Sequence, residues 1–248
     1  MTLNKNILGF LAISIICFLS ALPAVAETEK PEVSFAIIEL TPYGMRGDDG
    51  LPTGYFWESA QALLEETGLT YSLSLLPLKR MIKEVEAERE DCVFIARTHL
   101  AEKLVRFLEP IGQDVVAGIV PAAGDAIRKF DDLLSHTIGV PIGVIFHKQF
   151  ETDDRLDRVR TVDYSTSVEM LIRNRVTAIA GNLDSFRYFA AKSGRDPDKV
   201  FGEPLLFNKI PIWLACGKTT PDDNTMNRLA AAMRDLREKG VFKAIIKK

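Results

Sequence analysis

Residues 33–76 read VSFAIIELTPYGMRGDDGLPTGYFWESAQALLEETGLTYSLSLL, and this segment sets the fold class of the chain. Its first eight residues form an apolar run of the kind found in strands that are buried on both faces. After a glycine-rich turn, apolar residues recur at the spacing of one helix face, and Gly68 ends that helix. Residues 69–75 form a second apolar run. The segment therefore predicts a strand–helix–strand unit.

The same alternation continues along the rest of the chain. Further strands are predicted at residues 92–96, 115–120, 137–140, 159–162, 177–180 and 212–216, and further helices at 78–85, 165–173, 183–191 and 225–239. This order predicts an α/β fold with a doubly wound, mostly parallel sheet, in which ligands bind beyond the carboxyl ends of the strands. A cleft between two lobes would bring four such ends together: Thr41-Pro42-Tyr43, Arg97-Thr98, Pro141-Ile142-Gly143 and Gly181-Asn182.

The composition is that of a globular protein. The chain has 248 residues, of which 47% are hydrophobic and 26% charged, and this excludes a disordered, collagen-like or small disulfide-framework class. The formal net charge of −3 gives no basic excess, so we expect neither nucleic acid nor anionic lipid as a partner. The three histidines are scattered, and no C-x-x-C, H-E-x-x-H, phosphate-binding glycine loop or G-x-S-x-G motif occurs. We therefore predict no metal, no cofactor and no catalytic nucleophile.

The first 26 residues are predicted to be a signal peptide. Lys5 provides a positive charge, residues 7–19 are almost entirely apolar, and Ala24-Val25-Ala26 is a small-x-small cleavage site. The apolar run is short for a membrane span, and an uncleaved anchor is the alternative. We expect cleavage after Ala26 and export to a bacterial periplasm, where the remaining chain would be a monomer.

Three short motifs occur in a fixed order in the first half of the chain. They are Pro77-Leu78-Lys79-Arg80, Arg97-Thr98 after Ala96, and Arg106-Phe107-Leu108-Glu109-Pro110-Ile111. Together with the segments 50–68, 133–143 and 229–246, they make the chain resemble family 3 of the bacterial extracellular solute-binding proteins, in the branch with a P-x-x-R helix. The resemblance covers nearly all of the chain after residue 26.

The resemblance implies a two-lobed type II periplasmic binding fold. Lobe 1 would comprise residues 27–113 and 212–248, and lobe 2 residues 114–211, with two crossing segments as the hinge. A small solute would bind in the cleft and hold the lobes closed, because a ligand shifts an open–closed equilibrium through contacts made only in the closed form. A membrane permease or receptor would then recognise the closed protein.

The chain departs from the family at the groups that bind an α-amino acid. The arginine expected three residues after Thr98 is Ala101, and the hydroxyl residue expected after the lobe-2 glycine is replaced by Val144 and Ile145. The position of the carboxylate that receives the ligand's ammonium falls at Asn182. An unpaired charge in a closed cleft is costly. We therefore expect a less polar or differently charged small molecule, and not a standard α-amino acid.

Seven residues are candidate ligand contacts: Tyr43, Trp57, Arg80, Arg97, Thr98, Gly143 and Asn182. Tyr43 has the position of an aromatic residue that stacks on the ligand in the family, although it could instead pack on the adjoining loop. Arg97 or Arg80 could replace the missing arginine as a donor to an anion. Arg80 and Trp57 both lie off the apolar faces of their helices, so a solvated surface position is the alternative for Arg80.

The remaining polar candidates also have structural alternatives. Arg97 could pair with Glu39, with Glu109 or with another acidic residue near the hinge. Thr98 and Asn182 could each N-cap the helix that follows it.

A disulfide between Cys92 and Cys216 is predicted from the topology that the resemblance implies. In that topology the strand returning from lobe 2 runs antiparallel beside the third strand. If Ala96 lies opposite Ile212, the same register puts Cys92 opposite Cys216. Such a bond suits an oxidising compartment. Two separate buried thiols are the alternative.

Three function classes follow from these observations. The first is a solute-binding protein that delivers its ligand to a membrane transporter, and the second is the same module acting as a sensor that docks on a membrane receptor. The third is an enzyme similar to the periplasmic cyclohexadienyl dehydratases, in which Glu39 or Glu58 would supply the acid or base. Because a lone glutamate is usually a cap or a surface charge, we predict that the protein is not an enzyme.

Overall fold

The computed structural model describes residues 32–143 and 147–246, and the predicted signal peptide, Val144 and Ile145 lie outside the described residues. The strands are β1 (Val33–Ile38), β2 (Met45–Arg46), β3 (Pro52–Thr53), β4 (Tyr71–Leu76), β5 (Cys92–Ala96), β6 (Val105–Pro121), β7 (Thr137–Pro141), β8 (Asp157–Thr161), β9 (Ala178–Asn182) and β10 (Leu205–Gly217). The helices are α1 (Tyr55–Thr67), α2 (Leu78–Glu86), α3 (His99–Leu104), α4 (Lys148–Thr152), α5 (Tyr164–Ile172), α6 (Leu183–Lys192), α7 (Pro197–Val200), α8 (Asp223–Glu238) and α9 (Val241–Ile246), with a 3₁₀ helix at Phe130–Ser135. Within the described ranges, none of these helices has the length and apolar character needed to cross a membrane.

Eight of the strands form one mixed sheet in the order β4-β1-β5-β10-β6-β9-β7-β8, and β2 and β3 form a separate two-stranded sheet. In one half of the large sheet β1 is parallel to β4 and β5, and in the other half β7 is parallel to β8 and β9. The long strands β6 and β10 join these halves through antiparallel pairs. The predicted α/β class is confirmed, with the parallel strands divided between two halves.

Strands β6 and β10 are longer than predicted, with 17 and 13 residues. They pair along most of their length, and the register shifts between Pro211 and Trp213, close to the predicted hinge. The hydrophobic pattern predicted only residues 115–120 and 212–216 of them, and the parts before these hold Asp114 and Lys209, which form an ion pair at 3.3 Å. Charged side chains of this kind are unusual in a strand that is buried on both faces.

Helices cover both faces of each half of the sheet. In the first half, α1, α8 and α9 pack on one face and α2 packs on the other. In the second half, two further cores form around Ile138 and around Ile179 on opposite faces. Each half of the sheet therefore has its own hydrophobic core, which is the arrangement that two lobes require.

A disulfide joins Cys92 on β5 to Cys216 on β10. These strands pair antiparallel with Ile212 opposite Ala96, and the same register sets the two cysteines opposite each other. Their Cα atoms are 4.0 Å apart, and both residues are buried in the core beneath α1 and α8. The bond thus connects an early strand of the chain to the strand that returns from the second half of the sheet.

Candidate functional site

An apolar crevice of about 170 Å³ lies at the carboxyl ends of β1 and β5, beside the crossing strands β6 and β10. Its lining includes Ile38, Leu40, Tyr43, Phe56, Leu78, Met81, Phe94 and Ile212. Among the described residues that line it, none carries a charged side chain. Such a space favours an uncharged group, because an unpaired charge placed there would lose its hydration without compensation.

Tyr43 forms one wall of this crevice and is fully buried. Its ring packs on Phe56, with 4.8 Å between ring centroids, and lies edge-on to Tyr55 at 6.1 Å. The hydroxyl donates a hydrogen bond to Asp184 Oδ2 at 2.6 Å and accepts one from Asn182 Nδ2 at 3.1 Å. Burial, and then the negative charge of Asp184, raise the pKa of Tyr43 above its ordinary value. The hydroxyl therefore stays protonated and acts as a donor at neutral pH.

The first turn of α6 holds the segment that follows β1. Asn182 N-caps α6, since its Oδ1 accepts a hydrogen bond from the backbone N–H of Ser185 at 2.8 Å. The Ser185 hydroxyl donates to the carbonyl oxygen of Thr41. At the other end of the helix, Lys192 Nζ lies 2.9 Å from Asp48 Oδ1. Together with the tyrosine hydrogen bonds, these contacts join the two halves of the molecule.

Arg97 and Thr98 make their contacts within the first half of the sheet. The Arg97 Nε atom lies 3.0 Å from Glu102 Oε1. Its guanidinium carbon is 5.4 Å from the ring centroid of Phe107 and 5.3 Å from that of Trp213, which are cation–π distances. The Thr98 hydroxyl accepts a hydrogen bond from the backbone N–H three residues later, at 3.2 Å, and so N-caps α3. Both side chains have protein partners that hold them in place.

Three other candidates lie apart from the contacts around α6. The Arg80 side chain is 68% exposed and 3.7 Å from Glu84, as in the surface alternative. Trp57 is partly buried and packs against the core of the first half. Gly143 follows β7 with a φ of 87°. Of the seven candidates, the structure brings Tyr43 and Asn182 into direct contact. That any of the seven binds a ligand stays a prediction.

Sequence reasoning missed two residues of this region, Asp184 and Ser185. They are the second and third residues of α6, directly after the carboxyl end of β9. A signal was present, because Asn182, Asp184 and Ser185 form a polar start to a helix at a ligand-binding edge of the sheet. Such residues also commonly cap helices, and the pattern alone does not separate capping from contacts across a cleft.

Comparisons with known proteins agree on the family and the fold. The family described as "Bacterial extracellular solute-binding proteins, family 3" matches residues 36–248. The L-cystine-binding protein TcyJ of Escherichia coli strain K12 is 24% identical over 212 residues, which cover 84% of this chain and 77% of TcyJ.

Two solved structures illustrate the fold. A histidine kinase sensor domain with similarity to periplasmic binding proteins has a TM-score of 0.67 at 17% identity, covering 86% of this chain and 93% of that domain. Substrate binding domain 2 of Lactococcus lactis GlnP, in an open conformation, has a TM-score of 0.67 at 18% identity, covering 89% and 95%. The likeness shows that the chain has the two-lobed fold of periplasmic binding proteins.

Proposed function

Because the chain belongs to family 3 of the bacterial extracellular solute-binding proteins, we propose that it binds a small solute whose buried part is apolar. The binding site is the crevice at the ends of β1 and β5, and its uncharged lining is the observation that carries the proposal. The crevice lies at the carboxyl ends of parallel strands and beside the crossing strands, where ligands of such sheets bind.

The lining argues against a zwitterionic ligand. L-Cystine, the ligand in the name of TcyJ, has ammonium and carboxylate groups that need charged partners. The crevice supplies none, and the arginine expected three residues after Thr98 is the buried Ala101. An apolar cavity of about 150 Å³ is large enough for benzene, so about 170 Å³ accommodates one ring or a short aliphatic chain.

The same proposal includes the organisation of the molecule. Residues 27–113 and 212–248 form lobe 1, residues 114–211 form lobe 2, and the register shift near Pro211 supports a hinge in the crossing strands. After export to the periplasm and cleavage after Ala26, the monomer closes on its solute and delivers it to a membrane transporter.

Thermal denaturation with neutral and zwitterionic probes tests the ligand class. We expect toluene to raise the melting temperature and phenylalanine not to do so, since a ligand at a hundred times its Kd adds about 2.7 kcal/mol to the free energy of unfolding. The substitution Leu78→Gln should weaken toluene binding, because Leu78, which is 47% exposed, lines the crevice. The matched control is Leu134→Gln, at 44% exposure and away from the crevice. Stabilisation by phenylalanine, or equal effects of the two variants, would contradict the proposal.

A membrane receptor is the alternative partner, and the likeness of the fold to a histidine kinase sensor domain supports this alternative. Pull-down from bacterial membranes with and without a stabilising probe separates the two outcomes. Recovery of a permease supports delivery, whereas recovery of a receptor kinase in its place supports a sensor.

We propose no catalytic activity, and turnover of prephenate or arogenate that is lost in Glu58→Gln or Glu39→Gln would refute this.

A further inference from the structure

A second and larger cavity is lined by residues that adjoin Tyr43, namely Pro42, Tyr55 and Asp184. Its volume is about 520 Å³, and it is bordered by the segment after β1, by α1, by α6 and by α9. Unlike the crevice, it has charged and polar lining residues, among them the acidic Glu58 and Asp184, the basic Arg187, and Tyr55 and Tyr188. Burial and the nearby negative charge of Asp184 raise the pKa of Tyr55, so the Asp184 carboxylate lies close to this lining residue.

Tyr43 links the linings of these two spaces. Its ring lines the crevice, whereas its hydroxyl is bonded to Asp184, whose side chain lines the larger cavity. The neighbours of Tyr43 in the chain and in space, Pro42 and Tyr55, also line the larger cavity. The tyrosine side chain thus stands between an apolar pocket and a carboxylate.

We infer that Tyr43 determines specificity by keeping the Asp184 carboxylate out of reach of a ligand in the crevice. A carboxylate is the partner that a ligand's ammonium requires. The chain has one near the site, Asp184, whose Oδ2 accepts the tyrosine hydrogen bond, and in this inference the tyrosine ring, which lines the crevice, is the barrier between that carboxylate and a bound ligand. The protein therefore excludes amines by this side chain and not by the lack of an acceptor. This inference rests on the proposed binding in the crevice.

Removing the Tyr43 side chain should convert the site into one that binds an aromatic amine. The probes are toluene and benzylamine, which share a ring and differ in the ammonium group. In wild-type protein we expect benzylamine to bind more weakly than toluene. In Tyr43→Ala the crevice and the larger cavity become continuous, and the ratio of benzylamine to toluene affinity should rise more than tenfold, because a hydrogen bond to a charged group becomes available. Adding Asp184→Asn to this variant should abolish the rise.

Tyr43→Phe is the matched control. It removes the hydroxyl but keeps the ring between the two spaces, so the affinity ratio should stay within about twofold of wild type, well below a tenfold change. A rise in Tyr43→Phe as large as in Tyr43→Ala would overturn the inference, because the ring would then be no barrier. No rise in a folded Tyr43→Ala protein would also overturn it.

Folding of the alanine variant is checked by its thermal unfolding transition, since Tyr43 is buried in the core. If that variant does not fold, Tyr43→Leu keeps apolar volume in the core and takes its place, with the same expected rise and Tyr43→Phe as its control. The outcomes also separate this inference from the proposed function. Failure of toluene to bind wild type contradicts the apolar ligand class, whereas toluene binding without the gain for benzylamine contradicts only the role of Tyr43.

Discussion

At the scale of single residues, Tyr43 is the centre of the polar contacts between the two halves of the molecule. Its hydroxyl is both donor and acceptor, to Asp184 and from Asn182, in surroundings that exclude water. Hydrogen bonds of this kind are strengthened by low local polarity, and a partner left unsatisfied is costly.

The Tyr43→Phe substitution should therefore lower the free energy of unfolding by about 2 kcal/mol, the usual loss when a charged group is deprived of a hydrogen bond. Urea unfolding followed by circular dichroism measures the change. Tyr71→Phe, which removes a hydroxyl from the edge strand β4, is the control and should have a much smaller effect. Equal losses in both variants would show that the interlobe hydrogen bond contributes little.

Tyr43 should also make the protein less stable in alkaline solution. The unfolded tyrosine loses its proton near pH 10, whereas the raised pKa keeps the folded tyrosine protonated. Above pH 10 the unfolded state thus binds fewer protons, and the free energy of unfolding falls by about 1.4 kcal/mol per pH unit for this group. Urea unfolding between about pH 9 and pH 11 should show a steeper fall for wild type than for Tyr43→Phe. Tyr55 and Tyr164, whose pKa values are also raised, contribute to both proteins alike.

Single residues also show which side-chain contacts the sequence did not predict. The polar ends of strands indicated Tyr43 and Asn182, but only the packed chain brings them within 3.1 Å of each other. Arg97 pairs with Glu102, and not with Glu39 or Glu109. Glu102 lies five residues later on α3, and the arginine also contacts two aromatic rings that come from different strands. Such choices depend on side-chain geometry that spacing along the chain does not encode.

At the scale of elements, the paired strands β6 and β10 are the structural link between the halves of the sheet. Periodicity predicted only the carboxyl-terminal part of each strand, residues 115–120 and 212–216, and not the more polar part that precedes it. The order of the motifs along the chain was more informative than periodicity, because the antiparallel pairing of β5 with β10 follows from the topology that the motifs indicated. Element register was thus predictable where a known topology applied, and strand length was not.

The Cys92–Cys216 disulfide should stabilise the protein strongly. It connects residues 124 positions apart, and closing a loop of that length in the unfolded chain corresponds to about 5 kcal/mol in the chain-entropy model. The double variant Cys92→Ala, Cys216→Ala should lose stability of this order in urea unfolding. Wild type unfolded in the presence of a reductant should match it. A loss below about 1 kcal/mol would contradict the entropic account.

Close packing of β6 against β10 makes one glycine sensitive to substitution. A Cβ atom at Gly118 would lie 2.4 Å from the backbone oxygen of Leu205, which belongs to a paired strand. Gly118→Ala should therefore lower the free energy of unfolding by about 1–3 kcal/mol, as overpacking does. Gly139→Ala is the matched strand control, because its nearest contact would be a side-chain methyl at 3.3 Å. A smaller effect at Gly118 than at Gly139 would show that the crossing strands separate easily.

At the scale of the whole molecule, side chains of α6 and of the segment after β1 hold the halves together. Besides the tyrosine, Ser185 bonds to Thr41 and Lys192 pairs with Asp48. The exposed Lys192 pair contributes little by itself, so the buried hydrogen bonds contribute most of this link. Fold and family were within reach of the sequence, because they depend on pattern and order, whereas the closing contacts depend on residues over 100 positions apart.

Loss of these contacts should open the molecule. We expect the variant Asp184→Ala, Lys192→Ala to have a larger radius of gyration in small-angle X-ray scattering than wild type, because hinge motion separates lobes when closed-state contacts are removed. Arg80→Ala, a surface change within the first half, is the control and should leave the radius unchanged. An unchanged radius in the double variant would mean that other contacts hold the lobes.

The bond between Cys92 and Cys216 also determines what happens when a protease cuts the chain. Every peptide bond between these two positions, and thus the whole of the second half of the sheet, lies inside the loop that the bond closes. A single cut there produces two fragments that migrate together on a non-reducing gel and separate only after reduction. A nicked molecule accordingly keeps its two termini in one covalently joined species.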